Sequence, residues 1–333
     1  MHVSVIIPVY KVAAHLRACL ESVQAQTFTD FEVVMVNDGS PDNCGAICDD
    51  FAAHDSRFRT LHQSNQGVSA ARKNGLLASK APFVTFLDAD DYVAPTYIEA
   101  LVKAQATHGA DLVVVQNYNV REGEAPREHF RPVRGVFRGQ AIRQLLATNA
   151  LADRQTRLSG LPAFTWGKLY ARHLIGQSID TCQGLTLGED VAMTQATLYR
   201  AHCVVVLPDY LYYYVERTGQ ATQKADLEIL FPAYLNTWQR MADIDHEHLQ
   251  TDQLRLRMWL ILRSKLQCLS HQLPPYPTFR KALAQLVETP FFYNRVLAQP
   301  HRSAITIIDH LRLLLLRHRC YRLWYELLKR GWG

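Results

Sequence analysis

Phe83-Val84-Thr85-Phe86-Leu87-Asp88-Ala89-Asp90-Asp91 is the stretch on which the reading of this chain turns. Its first five residues are apolar apart from Thr85 and show no polar alternation, the habit of a parallel strand buried on both faces. The run then stops at three carboxylates within four residues. Like charges so close repel one another, and a folded chain ordinarily brings a cation to them. Hard oxygen donors in a half-open cluster suit Mg2+ or Mn2+, which also take diphosphate oxygens and act as Lewis acids on a departing diphosphate. The same residues can also be read as a solvated acidic turn in which Asp91 caps the next helix.

Outward towards the N-terminus the buried-strand pattern repeats. Val3–Val9 is a β-branched run whose only polar side chain is Ser4, and Phe31–Val36 is a second buried strand closed by the turn residues Asn37-Asp38-Gly39-Ser40-Pro41. Phe58–His62 reads as a short strand. Between these, apolar residues at 12, 16, 19, 20 and 23 fit an amphipathic helix over Val12–Gln26, and Cys44–His54 and Gly67–Lys80 read as further helices. The β-α-β-α-β-α-β order predicts an α/β fold with a parallel sheet and right-handed crossovers. Ligands in such sheets bind at the carboxyl ends of the strands. Pro8-Val9-Tyr10, Asp38 and the acidic cluster end three different strands, so the candidate chemistry gathers on one edge.

Outward towards the C-terminus follow a helix, a strand at Leu112–Gln116, and a polar segment, Arg121–Arg134, that reads as a loop or hairpin. Mixed elements continue to about Tyr214, and from about residue 223 the pattern is helical, broken at Pro274-Pro275 and Pro300. A boundary near residue 220 divides a domain over 1–220 from a C-terminal region over 221–333. The 333 residues, 48% hydrophobic and 20% charged, suit one large globular domain with a smaller appendage. The net charge of +5 hides an asymmetry: residues 251–333 hold 14 Lys+Arg against 4 Asp+Glu, which leaves the first 250 residues acidic. Seven scattered cysteines, with no paired CxxC, read as reduced thiols and not as a zinc site. No basic leader precedes the first strand, and no run of about 18 apolar residues occurs, so a cytoplasmic chain without a membrane span is expected.

Four motifs occur in order: Pro8-Val9-Tyr10, Val36-Asn37-Asp38-Gly39-Ser40, Asn65-Gln66-Gly67-Val68-Ser69-Ala70-Ala71-Arg72, and Phe86-Leu87-Asp88-Ala89-Asp90-Asp91. Together they resemble the nucleotide-binding half of glycosyltransferase family 2, strongly over residues 3–100 and more weakly to about 220. The resemblance implies the GT-A fold, a mixed and mainly parallel sheet flanked by helices, with residues 1–100 as the nucleotide-binding half and 101–220 as the acceptor half. It implies that Pro8, Val9 and Tyr10 line the base pocket, with Tyr10 packed on uracil or its equivalent. Asp38 would bond the base edge, Arg72 would support Asp38 or the diphosphate, and Asp88, followed by Ala89, would hold the ribose. Asp90 would hold the metal and Asp91 would help to position the metal or the incoming sugar. The family usually has Asn where this chain has Lys73, which bears on local contacts at the start of that helix.

An inverting transfer needs a base for the acceptor hydroxyl. Gly188-Glu189-Asp190-Val191 precedes a helix-like run at Ala192–Tyr199 and resembles the family's Glu-Asp motif, which implies Asp190 as the base, with Glu189 supporting it or reading the acceptor. The plain alternative is a helix N-terminus where acids suit the dipole. Thr165-Trp166-Gly167-Lys168-Leu169-Tyr170 and Tyr210-Leu211-Tyr212-Tyr213-Tyr214 resemble the segments that flank the base, and Trp166 is expected either as a stacking face for an acceptor sugar or as core. The reaction implied moves a sugar, with inversion, from a nucleoside-diphosphate donor to a glycan or lipid-linked glycan in bacterial surface polysaccharide synthesis.

Ile305 to Arg330, with Leu313-Leu314-Leu315-Leu316, Arg317, Arg319, Arg322, Trp324, Lys329 and Arg330, and with Trp332 beyond, reads equally as a helix at an anionic membrane surface or as a helix packed on protein with its cations in water. Nucleic acid is not an expected partner, since the first 250 residues are acidic and no nucleic-acid module occurs. Two rivals remain: a nucleotidyltransferase, which ordinarily shows a glycine-rich loop where Val9-Tyr10-Lys11-Val12-Ala13 has none, and a scaffold that binds nucleotide or glycan without catalysis. A Rossmann oxidoreductase fails for want of G-x-G-x-x-G after the first strand.

Overall fold

The computed structural model describes residues 1–129, 133–148, 161, 163–216, 227–247, 249, 275–289 and 307–330. Strands β1 (Val3–Val9), β2 (Phe31–Asp38), β3 (Phe58–Gln63) and β4 (Phe83–Phe86) alternate with helices α1 (Ala13–Gln24), α2 (Cys44–His54) and α3 (Val68–Ala78). β1 lies between β2 and β4, all parallel, and β3 extends the sheet beyond β2. Both faces of β1 are covered, which is why its sequence lacks alternation. Val3, Val5, Ile7 and Val9 join the core that holds Leu16, Cys19 and Leu20 of α1 and Cys44 and Cys48 of α2. Ile6 points the other way, to α3, and a Cβ on Gly75 would stand 2.4 Å from its Cγ2. Only glycine permits that approach.

The second half of the sheet is mixed. After β5 (Tyr92–Val93) and α4 (Tyr97–His108) come β6 (Leu112–Val120), β7 (Arg127–Glu128), β8 (Gly135–Arg138), β9 (Lys168–Ala171), helix α5 (Glu189–Arg200) and β10 (Cys203–Val215). The sheet order is β3-β2-β1-β4-β9-β6-β10-β5. β9 enters between β4 and β6, antiparallel to both. β6 and β10 run parallel, while β7 folds back on β6, so the polar segment after Val120 is a hairpin. Most paired residues are parallel, in keeping with the mixed sheet of the GT-A type. The end of β10 pairs Tyr212 and Tyr213 with β5, directly after the acidic cluster.

The chain forms two compact units. Met1–Gln144, Pro162–Gly184 and Glu189–Arg217 make the first, and Leu145–Leu161, Leu185–Gly188 and Thr218–Gly333 the second. In the second, helix Tyr321–Lys329 buries Tyr321, Trp324, Tyr325 and Leu328, and Tyr325 meets Tyr276 and Phe279 of helix Tyr276–Glu288. Trp324 is therefore packed on protein. Leu311, Leu314 and Leu323 are exposed, together with Arg317, Arg322 and Arg330. Ile305 and Trp332 lie outside the described residues. Among the described residues no helix is long and apolar enough to cross a membrane, and the cysteines there are all free.

Candidate active site

β1 ends by passing from Val9, fully buried, to Tyr10, which is 40% exposed. Pro8 and Val9 are sheet core, so of this trio only the Tyr10 ring meets solvent at the strand end. Asp38, at the end of β2, is buried and already holds three hydrogen bonds. Its Oδ1 accepts from Gln66 N at 2.8 Å and Gln63 Nε2 at 2.7 Å, and its Oδ2 accepts from Gly67 N at 2.8 Å. Gly67 has φ +86, a conformation that favours glycine, and opens α3. Asp38 thus sets the start of the helix that carries Arg72.

Arg72 is 4% exposed and does not reach Asp38; Gln63 and the Gln66–Gly67 backbone take that place. Its Nη2 donates to Asp88 Oδ1 at 2.9 Å and its Nη1 lies 3.5 Å from Glu189 Oε1. Burial alone would lower the guanidinium's pKa, but Asp88, Glu189 and Asp190 outweigh it and hold the charge. Its Nε is buried without a partner. Lys73, the departure from the family pattern, turns outward to Asp180 at 2.7 Å.

The acidic cluster divides. Asp88 and Asp90 are half-buried, and Ala89 is core. Asp91, 2% exposed, faces inward: its Oδ2 accepts from Tyr212 Oη at 2.6 Å and its Oδ1 from Val215 N at 2.8 Å. Burial, then Asp90 and Asp88, raise its pKa well above the carboxylate range. The Cys19 thiol beneath is raised by burial and by the same three acids. This crowding of hard oxygen donors fits a divalent cation. No group of three His, Cys, Asp or Glu among the described residues is already assembled around one point, because Asp91 is turned away. An ion here would complete its shell from diphosphate oxygens and water.

Asp190 stands in the first turn of α5, half-buried, its Oδ1 accepting from Val191 N at 2.7 Å. Burial and then Glu189 raise its pKa, Arg72 and the Val191 N–H oppose them, and the outcome is about 7. A carboxyl poised near neutrality beside a cation and further acids is chemically suited to proton transfer. Arg72 thus joins Asp88 to Glu189, the neighbour of Asp190, while Asp38 sets the start of Arg72's helix and Tyr10 stands at the end of the adjacent strand. Trp166 is a correction. It is 3% exposed and stacks on Tyr212 at 4.2 Å and on Phe164 at 4.6 Å, so its faces are not offered to a sugar; Phe164, 36% exposed, is the ring that reaches the surface. The sequence reading gave Tyr212 no role of its own, only a place in the segment Tyr210–Tyr214, where four of five residues are tyrosine.

The model of glycosyl transferase family 2 matches residues 4–162. Glycosyltransferase GlyG of Streptococcus pneumoniae is 31% identical over 220 residues, which are 65% of this chain and 71% of GlyG. Glycosyltransferase GlyA of the same bacterium is 34% identical over 222 residues, 66% of this chain but 31% of GlyA. The chain therefore spans less than two thirds of GlyA's length. Among solved structures, S. aureus TarS 1–349 in complex with UDP-GlcNAc aligns with a TM-score of 0.69 at 19% identity, over 99% of this chain and 92% of that one. That likeness is one of fold.

Proposed function

The chain belongs to glycosyl transferase family 2, and from that premise we propose that it is an inverting glycosyltransferase. It moves a sugar from a uridine diphosphate donor to a hydroxyl of a glycan or lipid-linked glycan during bacterial surface polysaccharide synthesis. The observation that carries this reading is Arg72, held 2.9 Å from Asp88 and 3.5 Å from Glu189, which ties the donor-side strand end to the base-bearing helix. The uridine preference draws on the TarS complex with UDP-GlcNAc.

Tyr10 stacks on the base, Asp38 accepts from its edge through remaining lone-pair capacity, and Asp88 holds the ribose. Arg72, beneath Asp88, offsets negative charge near the diphosphate. Asp90 is the carboxylate placed to hold Mn2+ or Mg2+, with Asp91 fixing the loop behind it; a bound ion supplies Lewis-acid stabilisation of the leaving group. Asp190 takes the proton of the acceptor hydroxyl as the acceptor oxygen bonds to the anomeric carbon. The bond to the diphosphate oxygen breaks and its electron pair leaves with the nucleoside diphosphate. An α-linked donor then gives a β-linked product.

The test is a release assay with purified protein, Mn2+ and a panel of UDP-, GDP- and dTDP-sugars. Release of UDP from one UDP-sugar, lost in Asp90→Ala, is expected; no release from any donor overturns the reading.

We place the protein at the cytoplasmic face of an anionic membrane, through the exposed Leu311, Leu314 and Leu323 and the cations beside them. Changing the three leucines to Gln should reduce sedimentation with phosphatidylglycerol vesicles, by about three-fold or more given the apolar area removed. Equal sedimentation of both proteins would leave the helices without a lipid role.

A further inference from the structure

We propose that Ser40 and Asp42 form a latch that fixes the Tyr10 platform against Asp38, and so act as positioning residues for the donor's base. The proposal rests on the reading of Tyr10 as that platform.

The observation begins with backbone. Lys11, next to Tyr10, has φ 54, and only it and Arg319 among the described non-glycine residues have positive φ. A side chain with a Cβ disfavours that region, and such a residue persists only where its surroundings hold it. Here three successive N–H groups are caught by one neighbouring loop. Lys11 N donates to Ser40 Oγ at 2.8 Å, Val12 N to Cys44 Sγ at 3.4 Å, and Ala13 N to Asp42 Oδ2 at 3.1 Å. Ser40 Oγ in turn donates to Asp42 Oδ1 at 2.5 Å, which also accepts from Cys44 N at 3.3 Å.

α1 has no side-chain cap of its own, so its first donors are left for groups outside the helix. Asp42 supplies the cap from another loop, and at the same time caps the start of α2. Facing two helix N-termini suits a carboxylate. Burial pushes this carboxyl up, but the bonds from Ser40, Cys44 and Ala13 together outweigh it and bring it down to about 2. The latch is therefore ionised throughout the working pH range.

Its place gives it a function. Ser40 is two residues after Asp38, and between them Gly39, at φ +64, has room for no side chain: a Cβ there would lie 2.8 Å from Asn65 N. The turn is rigid on the Asp38 side and latched on the Tyr10 side. Platform and base-edge acceptor, on two different strands, are thereby set to one spacing. Nothing in the turnover chemistry requires Ser40 or Asp42, so their effect falls on binding of the base alone.

The experiment measures binding of UDP with Mn2+, and of pyrophosphate with Mn2+, by calorimetry on the full chain. Tyr10→Ala is expected to weaken UDP and leave pyrophosphate unchanged. Ser40→Ala is expected to weaken UDP about five-fold, the scale of one lost hydrogen bond, again without effect on pyrophosphate. Ser40→Thr, which keeps the hydroxyl, should bind as the unmodified protein does. Since Ser40 acts through the ring, Ser40→Ala should add little once Tyr10 is Ala. If Tyr10→Ala weakens UDP while Ser40→Ala does not, or if the two losses add in full, the latch is wrong and the platform stands. If Tyr10→Ala has no effect on UDP, the platform reading falls and the latch with it.

Discussion

The proposed donor half, residues 1–100, and the proposed acceptor half, residues 101–220, treat their carboxylates in opposite ways. Asp38 collects three donors, two of them backbone N–H groups, and Asp42 also collects three, which hold it near 2. Both are fixed parts of the frame. Asp190 accepts one short bond from its neighbour's N–H, lies against Glu189, and sits near 7. One half spends its acids on holding loops still, and the other leaves an acid free to exchange a proton near neutrality.

The sharpest way to break that contrast is Asp190→Asn. We expect transfer to fall by about 10^2- to 10^4-fold, the usual weight of a general base, with UDP affinity within about two-fold of the unmodified protein. The sign of the pH dependence follows from the raised pKa. The working form is the carboxylate, so kcat/KM should climb about ten-fold per pH unit up to about 7 and level off above it. An Asp190→Asn protein with normal turnover, or a flat profile from pH 5 to pH 9, would remove Asp190 from the base position.

The same division decides what could be read from the amino-acid order. Val3–Val9 and Cys44–His54 match the sequence reading residue for residue, and the acidic cluster lies at the strand end where it was expected. Those elements are local: each strand is a continuous apolar run, and each turn carries its own Asp, Gly or Asn. The acceptor half is assembled from distant pieces. β9 is four residues long and pairs with β4 and β6, whose chain positions lie far upstream. Lys168 stands in it fully buried, its Nζ donating to the Phe164 and Trp166 carbonyls, where charge alone would have placed it in water. β10 changes register between Val206 and Tyr210 and again between Tyr210 and Tyr212. The irregularity breaks the two-residue period, setting Tyr210 against Tyr118 on the side of Tyr213 while Tyr212 and Tyr214 go to Trp166. Alternation alone would not have set Tyr210 beside Tyr213, and local sequence left Trp166 open between a stacking face and core.

Tyr212 is where the two halves are fastened, and it offers the finest test of whether they depend on each other. The ring is fully buried against Trp166, and the hydroxyl reaches out of the acceptor half to Asp91, while Asp88 N approaches the same oxygen at 3.4 Å. Tyr212→Phe keeps the stacked ring, so no large cavity is made. What it removes is the donor to a buried carboxylate crowded by Asp88 and Asp90. Losing such a partner costs about 1–3 kcal/mol, which in a domain of this size lowers the melting temperature by about 2–10 °C. With the loop loosened, Mn2+-dependent UDP binding should weaken as well, by a few-fold, although the hydroxyl touches neither ion nor nucleotide in the proposed arrangement. Tyr213→Phe, on a ring that turns to the opposite side, is the control and should change neither quantity. Equal melting and equal binding in the two variants would mean that the acidic loop holds itself, and that the donor half owes the acceptor half nothing.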